Sequence, residues 1–140
     1  MAELLILPAI YLGIVIGLYE AILVHRDVSV PAHRFGHMLH ALIFALVAVF
    51  ATMNVEFVFA SIPALANIPL IGSPLIFRIA IGIIAMLKIH AISAAAPGMA
   101  GGSVGLKEKW SHSFIVAVLI VAAPFVWPFI EPVVGFLPGI

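Results

Sequence analysis

The sequence predicts an all-α, polytopic membrane protein: one domain of four transmembrane helices, with an apolar, proline-broken loop between the second and third. Three observations predict it. Hydrophobic residues make up 65% of the 140 and charged residues only 9%, against about 45–50% and about 25% in a soluble domain. Four apolar runs each reach the roughly 20 residues that a helix needs to cross a hydrocarbon core about 30 Å thick. None of these runs alternates at period two, which disfavours a β-barrel. Backbone polar groups in lipid must be satisfied within their own segment, so continuous apolar runs mean helices.

The first span covers about residues 4–24. Its first charge is Glu3 rather than Lys or Arg, and no small-residue cleavage site follows, so it reads as a retained span rather than a signal. The second covers about 35–56, after a start at Pro31, whose missing N–H costs nothing in a first turn. The third runs from about 74 to 96, just before Pro97 and Gly98. The fourth runs from 110 to about 130. Within it Pro124 and Pro128 each remove a backbone donor, which predicts a kinked outer half and an interfacial tail from Pro132 to Ile140.

Two connections stand out. Residues 57–73 are nearly all apolar and are broken by Pro63 and Pro69, too short for another pair of spans; they read as an interfacial, re-entrant or capping segment. Gly98, Gly101, Gly102 and Gly105 make the third loop a flexible linker, without the Gly-Lys-Ser/Thr ending of a phosphate-binding loop.

Charge sets orientation and excludes partners. Arg26 and Arg34 fall in the first loop, Lys107 and Lys109 in the third. By the positive-inside rule, loops 25–34 and 97–109 are cytoplasmic and both termini lie outside the plasma membrane. Trp110 and Trp127, about 25 Å apart along a helix, read as two interfacial anchors. Six basic and six acidic side chains cancel, which argues against a nucleic-acid partner. The chain has no cysteine, so disulfides, thiolate zinc sites and iron–sulfur clusters are excluded.

The ionisable residues within the spans carry the functional signal, because each costs at least about 2.5–3.5 kcal/mol in lipid. Glu20, His37, His40, Lys88 and His90 all fall in the cytoplasmic half, one or two from each of the first three spans, with His112 opening the fourth. His33, His37 and His40 share a face of the second span at i, i+4, i+7 spacing. Lys88 and His90 are about 200° apart around their helix and cannot face the same neighbour. At the outer side, Glu56 and Arg78 lie at similar depth with opposite sign and are expected to pair, with Asn54 nearby. Between the two layers the first two spans are almost purely apolar. Ala9, Gly13, Gly17 and Ala21 form a small-residue stripe with a GxxxG, expected to serve helix packing, and Glu20 borders it.

These residues support several roles. The favoured one is an oligomeric channel, transporter or transport-associated subunit, with Glu20 as proton or cation acceptor and the imidazoles lining an inner vestibule. A second is a membrane anchor that binds a b-type haem between His40 and His90. In a third, a structural subunit, Glu20–Lys88 and Glu56–Arg78 merely fix helix register. The HxxxHxxH run of His33, His37 and His40 is a candidate metal ligand set. It resembles part of the histidine boxes of membrane desaturases and hydroxylases, although those use several boxes and this chain has six histidines in all. The carboxylate region around Tyr11 to Glu20 in a first short span resembles small multidrug exporters, a likeness the other spans do not share. The expected surroundings are a lipid bilayer and either further copies of the chain or a larger membrane complex.

Overall fold

A computed structural model of the chain describes residues 4–27, 31–94 and 109–137, with the backbone alone at 31–34 and 91–94. Among the described residues there are helices and no strand: α1 (Ile6–Asp27), α2 (Pro31–Met53), α3 (Val55–Ser61), α4 (Pro63–Ala66), α5 (Pro74–Ala94) and α6 (Trp110–Val134). Three stretches are long and apolar enough to cross a membrane: Ile6–Asp27, Phe35–Met53 and Trp110–Val134. The 21 residues of α5 measure about 31 Å at the helical rise.

Side-chain hydrogen bonds fix how the helices alternate. Asn54, just past α2, bonds the backbone of Leu5 at the start of α1. Arg78 in the second turn of α5 bonds the Thr52 carbonyl near the end of α2. These contacts gather the start of α1, the end of α2 and the start of α5 at one end of the bundle. At the opposite end, Asp27 closes α1 against Lys109 and His112 at the start of α6. The four long helices therefore run alternately up and down. α2 and α6 each pack on the other three and form the short diagonal of the bundle.

The interior is built from small side chains. Ala9, Ala45, Ala48, Ala85 and Ala123 share the core with Ile16, Val49, Val116 and Ile120. Large apolar residues point outward instead: Val15, Val47 and Phe114 are 63%, 64% and 59% exposed. A water-soluble fold would reverse this arrangement. In lipid the surrounding tails are as apolar as leucine, so helices associate by close contact through small residues rather than by hiding large ones.

The small-residue stripe provides that contact within one chain. A Cβ on Gly13 would sit 3.0 Å from the Leu46 Cα, and one on Gly17 would sit 3.0 Å from the Leu42 Cα. α1 and α2 thus touch backbone to backbone over the face that also carries Ala9 and Ala21.

Several expected boundaries move. α2 stops at Met53 rather than continuing to Glu56, because Asn54 leaves helical geometry (φ −116°, ψ 44°) and turns its amide toward Leu5. Glu56 then falls in the first turn of α3. The apolar connection contains α3 and α4, seven and four residues long, each far shorter than a span. Phe59 of α3 packs edge-on against Phe77 of α5, which holds the segment over the end of the bundle. α6 continues through Pro124, Pro128 and Pro132 to Val134, beyond the expected end near 130. Trp127 is corrected as an interfacial anchor: it is 4% exposed, on the inward face with Val116, Ile120 and Ala123. The expected ends of the third span at 95–96, the glycine linker with Lys107, and the last three residues of the tail lie outside the described residues.

Candidate functional site

Glu20 is completely buried, seven residues before the end of α1 and beside the small-residue stripe, where a carboxylate meets the close α1–α2 contact. The α1–α2 register brings it level with His37 and His40. All three line one small cavity together with Val24, Ala41, Phe44 and Ile89. The cavity offers about 10 Å³, close to the minimum that one water molecule occupies.

Exposure falls stepwise across this group. His40 is exposed, His37 is half-buried and Glu20 is inaccessible. The two imidazoles are one helical turn apart on α2 and present two titratable rings to the cavity that the carboxylate also lines. Beyond Glu20 the cavity ends. Ile16, Ala45, Ala48 and Val49 close the interior, which matches the apolar middle expected from the sequence.

The remaining members of the expected layer go elsewhere. His90 packs flat on the Trp110 indole, ring centroids 3.7 Å apart and 21° from parallel. It does not line the Glu20 cavity that His40 lines, and one face of its ring is covered by the indole. Lys88 is exposed on the other side of α5 and makes no ion pair with Glu20. Their opposite directions follow from the 200° between their positions. The side chain of His33 and that of Arg34 lie outside the described residues. Among the described residues no group of three His, Asp or Glu side chains is arranged to hold a metal ion.

The expected outer ion pair is also corrected. Glu56 is exposed, and Arg78 is engaged elsewhere. The Arg78 Nε donates to the Thr52 carbonyl at 3.0 Å, and its guanidinium carbon sits 5.3 Å from the centre of the Phe125 ring. The reason lies in the break at Asn54: once α2 ends at Met53, the Thr52 carbonyl loses its helical donor, and a cation at a helix C-terminus is well placed to replace it. Thr52 and Asn54 complete this node. The Thr52 hydroxyl lies 3.0 Å from the carbonyls of Val49 and Ile120. Asn54 accepts from the Leu5 N–H at 2.7 Å and donates toward the Leu5 and Phe50 carbonyls. These groups satisfy backbone, so the node is a structural device.

Sequence reasoning missed Asp27. Its Oδ2 accepts from the Lys109 N–H at 3.0 Å and lies 2.6 Å from the His112 Nδ1. A signal was present: α6 opens after Lys109, a poor N-cap residue with no side-chain acceptor. A carboxylate from the neighbouring helix end supplies what the local sequence lacks. Compared with protein-family models, with curated proteins and with solved structures, the chain finds no match in any of the three.

Proposed function

We propose that the chain is a small membrane subunit that accepts a proton or cation at Glu20 through His40 and His37, as part of a channel, transporter or transport-associated complex. In this reading α5 also crosses the membrane, as the third of four spans, and loops 25–34 and 97–109 face the cytoplasm. The observation that carries it is the one water-sized cavity that His37, His40 and the fully buried Glu20 line together.

The physical argument concerns cost. A carboxyl group in a bilayer is disfavoured by at least about 2.5 kcal/mol. A group that served packing alone would be replaced without loss by Ala, as at Ala9 and Ala21 of the adjoining stripe. Imidazoles exchange protons near neutral pH, so they suit delivery to such a carboxyl. The apolar interior above Glu20 gives a single chain an entrance without an exit. Completion of a pathway therefore requires further copies or a partner subunit, or a helix rearrangement.

The test uses purified protein in liposomes with an internal pH-sensitive dye. Wild-type protein should dissipate an imposed proton gradient. Glu20→Gln should abolish that flux while the unfolding midpoint in detergent stays close to wild type, and His40→Ala should slow it. Flux by folded Glu20→Gln at every pH would overturn the mechanism.

A further inference from the structure

We propose that the groove between α5 and α6 holds one acyl chain of an anionic glycerophospholipid, whose phosphate is bound by Arg78. The groove is independent of the Glu20 cavity. It has a volume of about 440 Å³ and is lined entirely by apolar side chains, among them Ile79, Met86, Phe114, Val121 and Phe125. Gly82 forms part of its lining and faces α6: a Cβ there would meet the Val121 Cγ2 at 2.4 Å. The missing side chain lets α6 pack closely against the floor of the groove.

Shape and charge together specify the occupant. On α6 the lining extends from Phe114 to Phe125, about 16 Å of helix. This is about the depth of one leaflet of a hydrocarbon core some 30 Å thick. The groove therefore has the length of an acyl chain and runs along the helix axes, as lipid tails do. At the Phe125 end stands Arg78, its guanidinium carbon 5.3 Å from the ring that also lines the groove. Helical side chains lean toward the helix N-terminus, so Arg78 reaches from the second turn of α5 toward the nearby bundle end. Its Nε is committed to the Thr52 carbonyl. The terminal amino groups make no hydrogen bond or ion pair among the described residues, and their planar fork matches a phosphate. A cation at the mouth of an apolar, leaflet-deep groove complements a lipid with a net negative headgroup better than a zwitterionic one.

The experiment is native mass spectrometry of the full chain in a non-ionic detergent, titrated with phosphatidylglycerol or phosphatidylcholine of identical acyl chains. Phosphatidylglycerol should bind roughly tenfold more tightly, the scale of one charge-assisted interaction. Arg78→Gln should erase that preference. Because this variant also gives up the Thr52 contact, Val118→Trp is a second probe: Val118 lines the groove and is 47% exposed, away from Arg78. It should weaken both lipids while the protein stays folded. Equal binding of the two lipids by wild type, or an unchanged preference in Arg78→Gln, would overturn the proposal. So would unchanged binding in Val118→Trp, competition by acyl-free glycerol phosphate, or dimers that Val118→Trp separates without affecting lipid binding.

Discussion

The Thr52 hydroxyl in α2 lies 3.0 Å from the Ile120 carbonyl in α6, and the residue four positions after Ile120 is Pro124. Proline has no N–H, so Ile120 lacks the helical donor that its carbonyl would otherwise receive. In lipid, water cannot replace it. A hydroxyl from the neighbouring helix fills the gap, and the proline becomes a reason for α2 and α6 to pack at this height. Thr52→Val should cost roughly 1 kcal/mol, the upper range for hydrogen bonds between membrane helices. In a Pro124→Ala background the backbone donor returns, and the same Thr52→Val substitution should then cost much less. Denaturant unfolding in mixed micelles reads the difference. Equal losses in both backgrounds would show that the carbonyl does not depend on Thr52.

Asp27 binds two donors with one oxygen, Lys109 N–H and His112 Nδ1. Its side chain is 5% exposed and that of His112 is 20%, so the contact is more sheltered than a surface pair, whose worth is about 0–1 kcal/mol. Asp27→Ala removes the acceptor for both donors and His112→Ala removes only one donor. The first should therefore destabilise the protein more, and the double variant should be no worse than Asp27→Ala alone. Additive losses in this cycle would mean that the two residues act separately. Hydrogen exchange at the first turn of α6 should rise in Asp27→Ala, since that turn loses its only side-chain cap among the described residues.

What was legible in the sequence follows from which signals are local. Length and hydropathy mark α1, α2 and α6 because a membrane span is a property of one segment. The depth of Glu20, His37 and His40 is also readable, because the rise per residue converts sequence position into height, and the three meet at one cavity. Rotation about the helix axis is harder. Lys88 and His90 lie at the right height, but only one side of α5 faces the bundle, and its neighbour there is Trp110. Glu56 and Arg78 illustrate a different difficulty. Their pairing assumed that α2 continues past residue 54, whereas the Asn54 side chain gains more by bonding the Leu5 backbone than by staying helical. Trp127 reads as an interfacial residue by type, and its phase with Ile120 and Ala123 places it in the core. Asp27 was hidden because its role lies on another helix, 82 positions away.

Glycine positions give the last contrast, between two residues of one type in two environments. Gly17 faces the Leu42 backbone, where an added Cβ would lie 3.0 Å from Cα and 3.3 Å from the carbonyl oxygen. Those atoms belong to a helix main chain and cannot rotate aside. Gly17→Ala should push α1 and α2 apart and cost about 1–3 kcal/mol, as overpacking does elsewhere. It should also open the cavity below, since Glu20 is three residues on in the same helix. Gly36 has nothing within 4 Å of an added Cβ and lies inside α2. There Ala should stabilise by about 0.5–1 kcal/mol through backbone entropy alone. Unfolding of both variants in the same micelles decides the matter. If Gly17→Ala is neutral, the helices have freedom to separate at that height, and the close contact that buries Glu20 is not what holds α1 against α2.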